Sequence, residues 1–202
     1  KGSGMIAPNM GTMLSYIVTD AIISSKDINN ALKQAVDLSF NMIVVDGDES
    51  TNDTAILMAN GKSNVEVVDK GIINKDFQNA LDYLCINLAK QMVRDGEGAS
   101  KFLEVNIKGA LSSSDAILAS KSVASSMLFK SAIFGEDPNW GRIVSAVGYS
   151  GCEMNQDIIS ISIGNESIFE NPKTDKSVYL VKEGEILAFD GTENLNVAEK
   201  FM

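Results

Sequence analysis

Thr12 is the residue in this 202-residue chain whose surroundings invite chemistry most directly. It is preceded by K-G-S-G-M-I-A-P-N-M-G, with Gly2, Gly4 and Gly11, Pro8 and Lys1, and an apolar run starts immediately after it. Glycine before threonine leaves the preceding carbonyl open to the threonine hydroxyl. Attack there is an N-to-O acyl shift that ends in chain cleavage. The chain has no histidine, which removes Ser-His-Asp and Cys-His nucleophiles, HExxH zinc sites and histidine general bases. A threonine freed at a chain N-terminus needs none of these, because its own α-amine takes the hydroxyl proton. The plain alternative is a threonine that caps a helix.

Three other stretches carry reactive or ligating residues. In D-G-E-G-A-S, Glu97 stands between Gly96 and Gly98, so the backbone can hold the acid at an unusual angle toward a ligand. The alternative is a helix C-cap with a surface glutamate. G-E-D-P-N-W-G-R holds the sole tryptophan, Trp140, and Arg142, whose guanidinium can clamp a carboxylate. The plainer reading, which the sequence favours, packs Trp140 in the core and pairs Arg142 with Glu136 or Asp137. D-G-D-E-S-T-N-D alternates Asp46, Asp48 and Ser50, but an EF-hand loop needs glycine and glutamate where Thr51 and Leu57 stand, so calcium is excluded. No metal site is expected. That loop reads either as a solvated turn or as a wall of an active site.

These residues need elements to position them. M-L-S-Y-I-V-T-D-A-I-I-S-S has Met13, Leu14, Ile17, Val18, Ala21 and Ile22 at helical spacing. That predicts a helix opened by Thr12. A second helix is expected over K-D-I-N-N-A-L-K-Q-A-V-D-L-S-F, with Asp27 as N-cap and Leu32, Ala35, Val36 and Phe40 inward. Residues 42–45 read as a short buried strand, and A-I-L-M-A-N-G as another. Residues 76–94 form a long amphipathic helix that ends at Gly96. K-F-L-E-V-N-I-K-G alternates as a strand does. One helix is expected from the serines before Asp115 to Gly135, and a short one over I-V-S-A-V-G-Y-S-G. Strands follow at I-I-S-I-S-I-G, S-I-F-E, S-V-Y-L-V and E-I-L-A-F, and a final helix at T-E-N-L-N-V-A-E-K-F-M. Helices and strands are intermixed, so the class is α/β or α+β. No repeat, linker or low-complexity segment separates domains. The glycine-rich start and the abrupt end within a helix suggest a piece of a larger protein.

Composition narrows the partners. The net charge is −10, with 45% apolar and 22% charged residues, which is ordinary for a globular chain. An acidic chain without basic clusters is a poor ligand for nucleic acid or an anionic membrane. No apolar run approaches the roughly 20 residues that span a bilayer. Cys85 and Cys152 form no CxxC, and Cys85 lies in an apolar stripe as a small core residue. A cytoplasmic location is expected.

K-G-S-G-M-I-A-P-N-M-G-T-M-L, D-G-D-E-S-T-N-D-T, D-G-E-G-A-S-K-F and F-G-E-D-P-N-W-G-R-I occur here in that order. In order and spacing they resemble the signatures of the bifunctional ornithine acetyltransferase (glutamate N-acetyltransferase) family of arginine biosynthesis. The resemblance covers essentially the whole chain. It implies mixed sheets layered with helices, in a self-cleaving, N-terminal-nucleophile-like fold shared with a related aminopeptidase family. It also implies a cut between Gly11 and Thr12, so that residues 1–11 end an α chain and residues 12–202 form most of a β chain, in an α2β2 assembly. Gly11 stands where the family more often has alanine. Thr12 would be the acyl-transfer nucleophile, and Lys1, Thr12 and Glu97 would bind substrate. The implied reaction moves acetyl from N-acetylornithine to glutamate through acetyl-Thr12, with acetyl-CoA as a second donor in some members and no cofactor. The family's oxyanion-hole threonine-glycine pair would lie before Lys1, and an asparagine and a threonine or serine ligand after Met202. The aminopeptidase reading, and a non-catalytic binding fragment, are the alternatives.

Overall fold

The computed structural model describes residues 1–7 and 13–170, and the backbone of residues 179–183. Thr12 and Gly11, the strand expected at E-I-L-A-F and the final helix lie outside the described residues. The chain forms two compact units that divide between Ala99 and Ser100. The boundary falls in the glycine-containing D-G-E-G-A-S stretch, where no linker composition marks it.

In the first unit, strand β1 (Leu14–Thr19) pairs in parallel with β2 (Thr54–Ala59), Leu14 opposite Thr54 and Thr19 opposite Ala59. Helix α1 (Ser25–Asp37) lies between them in sequence, as a parallel pair requires a crossover. The helix expected after Thr12 is therefore a strand. Ser15 and Ile17 are buried while Tyr16 and Val18 are exposed, so the period is two. Tyr, Ile, Val and Thr in succession suit a pleated surface, and β2 supplies the ladder that fixes them there.

Helix α1 is capped by Ser24, whose hydroxyl accepts the Asp27 N–H at 3.2 Å and donates to the Asp27 carboxylate at 2.6 Å. Asp27 thus sits in the first turn and is not the cap. Ala31, Ala35 and Val36 face the core. A 3-10 turn, Phe40–Met42, follows. Residues 42–45 do not form the expected strand. Ile43 and Val44 are buried, but the local hydrogen bond goes from Val45 N–H to Ile6 carbonyl at 2.6 Å. A hairpin missed by the sequence reading joins β3 (Val68–Asp69) to β4 (Ile72–Ile73). Its turn residues, Lys70 at φ 50° and Gly71 at φ 79°, are both left-handed, as a two-residue hairpin turn prefers. Helix α2 (Lys75–Arg94) is as expected, capped by Asn74, which accepts the N–H groups of Asp76 and Phe77. Ile6, Met13, Ile17, Phe40, Cys85 and Met92 belong to this unit's core.

In the second unit the sheet order is β5 (Leu103–Asn106), β8 (Tyr179–Glu183), β6 (Ser160–Ile163), β7 (Glu166–Glu170). Strand β8 is antiparallel to β5 and parallel to β6, and β6 is antiparallel to β7. The single helix expected before Gly135 is two, α3 (Ser113–Ser125) and α4 (Met127–Phe134), bent by 57°. Ser126 is the cause: its extended ψ of 110° ends α3, and its hydroxyl accepts the Phe129 N–H to start α4. Helix α5 (Trp140–Gly148) packs beside α3, with Ser122 Oγ donating to the Ala146 carbonyl at 2.6 Å. Among the described residues no single helix is long and apolar enough to cross a membrane.

Candidate active site

Residues 1–6 form a strap tied to three places in the first unit. At its start, Lys1 nitrogen donates to the Leu14 carbonyl and Leu14 N–H to the Lys1 carbonyl, both at 2.9 Å. Lys1 is thereby fixed beside the first residue of β1, two positions after Thr12. In the middle, the Ser3 carbonyl accepts the Glu97 N–H at 2.6 Å. Near its end, the Met5 and Ile6 N–H groups donate to the two oxygens of Asp46, at 2.6 and 2.9 Å.

Two glycines lie in close approach to their neighbours. A Cβ on Gly4 would stand 3.0 Å from Glu97 Oε2 and 3.9 Å from Asp46 Oδ2. A Cβ on Gly96 would meet Val45 Cγ1 at 3.0 Å and the Val93 carbonyl at 3.1 Å. D-G-E-G-A-S is thus both the end of α2 and the loop that carries Glu97 to the strap. Lys1 begins the strap and Glu97 bonds to its middle, and both side chains are exposed.

Past Thr12 the chain is held again. Met13 N–H donates to Asp53 Oδ1, and the Met13 carbonyl accepts the Thr54 N–H at 2.7 Å. The β1–β2 register brings this about, since Leu14 opposite Thr54 sets Met13 beside Asp53. Asp53 Oδ2 is inaccessible to solvent and has no hydrogen-bond partner among the described residues.

The two carboxyls of this loop are driven apart. Burial raises the Asp46 carboxyl, but the N–H groups of Asp48, Ile6 and Met5 outweigh it and hold the group below the usual carboxylate range. Burial raises the Asp53 carboxyl, and the Met13 N–H offsets this only in part. The loop 46–53 therefore does more than solvate a turn. Its ends grip both sides of residues 7–12. An aspartate stands at each end of that loop in the sequence, but its local pattern alone fits a solvated turn equally well and singles out neither Asp46 nor Asp53.

The other candidates lie in the second unit. Trp140 is 40% exposed and stacks on Phe169, ring centroids 4.3 Å apart and 19° from parallel. It is not the core residue expected. Arg142 pairs with neither Glu136 nor Asp137; its Nη1 donates to the Leu128 carbonyl at 2.6 Å. Glu136 instead pairs with Lys101 at 2.8 Å.

A family model described as the ArgJ family matches residues 1–196. The chain belongs to the ArgJ family. It is 50% identical over 204 residues to the glutamate N-acetyltransferase of Methanocaldococcus jannaschii, covering 100% of this chain and 48% of that protein. To the glutamate N-acetyltransferase of Methanothermobacter thermautotrophicus it is 49% identical over 202 residues, covering 100% of this chain and 46% of that protein. The chain spans about half the length of the curated relatives it matches. Among solved structures it is similar to the arginine biosynthesis bifunctional protein argJ of Bacillus halodurans. The TM-score is 0.75 at 33% identity, over 94% of this chain and 99% of that one. The mixed α/β fold expected from the resemblance is thus the one this ArgJ-family chain has.

Proposed function

We propose that this chain is the catalytic portion of a self-processing glutamate N-acetyltransferase of arginine biosynthesis. Its donor would be N-acetylornithine, and its acceptor glutamate. The carrying observation is that one strap, which precedes Thr12 in the chain, carries Lys1 beside Leu14 and holds Glu97 through the Ser3 carbonyl and against Gly4. In processing, Thr12 Oγ attacks the Gly11 carbonyl carbon. A C–O ester bond forms, the Gly11–Thr12 C–N bond breaks, and the hydroxyl proton ends on the Thr12 nitrogen. Water hydrolyses the ester, leaving the Gly11 carboxylate and a free threonine amine and hydroxyl. The amine then takes the Oγ proton while Oγ attacks the acetyl carbonyl of N-acetylornithine; the acetyl C–N bond breaks and ornithine leaves with that proton on its nitrogen. Glutamate nitrogen next attacks the acetyl ester, the C–O bond to Oγ breaks, and the proton lost by the glutamate amine returns to Oγ. Lys1 offers a point charge to the substrate α-carboxylate, and Glu97 a carboxylate to its amino group.

Residues 1–11 would close an α chain and residues 12–202 belong to a β chain. The Bacillus halodurans chain is matched over 99% of its length while the curated relatives are matched over half, which supports a mature enzyme of two polypeptides. An α2β2 assembly in the cytoplasm, an oxyanion hole supplied from upstream and further ligands from downstream complete the proposal.

The test is the full-length precursor, purified and weighed. Two chains, the second beginning at Thr12, are expected, with a single uncut chain for Thr12→Ala. Cleavage at this bond in Thr12→Ala would assign the cut to another protease and overturn self-processing. Transfer from N-acetylornithine to glutamate is expected in the mature enzyme. Labelled acetyl-CoA offered as the alternative donor separates a bifunctional enzyme from a monofunctional one. Hydrolysis of an N-terminal peptide residue without acetyl transfer would favour the aminopeptidase reading.

A further inference from the structure

The same grip recurs on each side of the segment containing the Gly11–Thr12 bond. At Ile6, the N–H donates to the Asp46 carboxylate at 2.9 Å while the carbonyl accepts the N–H of the preceding residue, Val45, at 2.6 Å. At Met13, the N–H donates to the Asp53 carboxylate while the carbonyl accepts the N–H of the following residue, Thr54, at 2.7 Å. Ile6 and Met13 are both fully buried. We propose that Asp46 and Asp53 are positioning residues for chain processing: by anchoring Ile6 and Met13, on the two sides of the Gly11–Thr12 bond in sequence, they set the rate of self-cleavage there. This rests on the self-cleavage reading given above.

Local turn chemistry does not account for the pattern. Asp46 Oδ1 also accepts the Asp48 N–H at 3.0 Å, a two-residue side-chain turn that uses one oxygen. The bonds to Met5, Ile6 and Met13 instead reach 40 or 41 residues along the chain. Both aspartates accept from main-chain N–H groups, and such charge-assisted bonds are stronger than neutral ones. Ile6 and Met13, the two buried anchors, are each held by a pair of hydrogen bonds, and an intramolecular attack depends on how well the flanks of the reacting bond are positioned. The opposed shifts of the two carboxyls agree with unequal surroundings, Asp46 well solvated by N–H groups and Asp53 enclosed.

The experiment follows self-cleavage of the full-length precursor over time, in the parent and in Asp46→Ala, Asp53→Ala and Asp53→Asn. Folding is checked by thermal melting, and hydroxylamine is added in parallel to open any accumulated ester. Both alanine variants should fold and cleave about tenfold to a hundredfold more slowly, the scale on which small misplacements act. Asparagine keeps an oxygen for the Met13 N–H, so Asp53→Asn should cleave at a rate between parent and alanine. Hydroxylamine should not restore the alanine variants, since the shift that makes the ester is the step lost. Folded alanine variants that cleave at the parent rate, or full restoration by hydroxylamine, would overturn the positioning role alone. Should an alanine variant not fold, Asp53→Asn decides: cleavage at the parent rate overturns the role, and slower cleavage by a fully folded protein supports it. A parent precursor that never cuts itself overturns both this proposal and the reading beneath it.

Discussion

The Glu97 carboxylate lies against Gly4, with Oε2 3.0 Å from the point where a Cβ would stand. The atom at risk is the end of a flexible side chain, so the fold tolerates the intrusion while the carboxylate moves. Gly4→Ala at this half-buried position should leave thermal stability within about 0.5 kcal/mol of the parent, as substitutions that disturb no packed group usually do. If the proposed function holds, kcat/KM for N-acetylornithine in the full-length protein should fall about tenfold or more, since displacing a group that binds substrate costs rate. Steady-state kinetics beside a melting curve separates the two effects. Lys1→Met should raise KM for the same substrate. Unchanged kinetics in both variants would remove this corner of the strap from the site.

The two loop carboxylates should act on stability in opposite directions. Asp46 is held below its ordinary value of 3.8, so its stabilisation is present above that pH and is lost as pH falls through the folded value. Asp53 is raised above 3.8, so its contribution is greatest when protonated and is lost as pH rises through the folded value. Melting temperatures of Asp46→Asn should therefore fall below the parent at pH 7, and the gap should narrow as pH falls through the folded value of Asp46, below 3.8. Asp53→Asn should match or exceed the parent at pH 7. Slower processing in a variant of undiminished stability would mark Asp53 as retained for function at a cost in stability.

The cysteines should differ sharply in reactivity. Cys85 is fully buried, and burial, with the nearby Asp82 charge, pushes its thiol up to about 11 despite a hydrogen bond with Ser39. The thiolate is the reactive form. Iodoacetamide at pH 8 should modify half-buried Cys152 in the native protein and leave Cys85 untouched until denaturant is added. Mass mapping of the alkylated peptides reads the result directly.

Trp140 on Phe169 gives the second unit its own reporter. Offset aromatic pairs contribute about 0.5–1.5 kcal/mol beyond area burial. Phe169→Ala should shift the emission of the sole tryptophan to the red and destabilise the second unit by at least about 1 kcal/mol. A spectrum and urea midpoint identical to the parent would mean that the stack is not maintained in solution.

Some of this protein follows from its sequence alone. Helix α2 was legible because it has twenty periodic residues and a terminating glycine, and no tertiary partner needed to choose its state. Strands β2 and β5 were legible from short apolar or alternating runs bounded by polar or turn residues. Four signature stretches in order identified the family before any geometry was known, and the absence of histidine in the chain narrowed the chemistry.

Tertiary structure decided the rest. The run after Thr12 fits a helical stripe and a two-residue alternation about equally. It became β1 because β2 supplies a parallel ladder in register. Ile43 and Val44 are as buried as a strand would make them, yet Val45 bonds to the strap, and no periodicity forecasts a partner 39 residues away. Asp46 and Asp53 look like ordinary turn residues in the sequence. Only the β1–β2 register and the path of the strap bring Asp53 to Met13 and Asp46 to Ile6, because hydrogen-bond partners distant in sequence are set by how elements pack and not by local propensity.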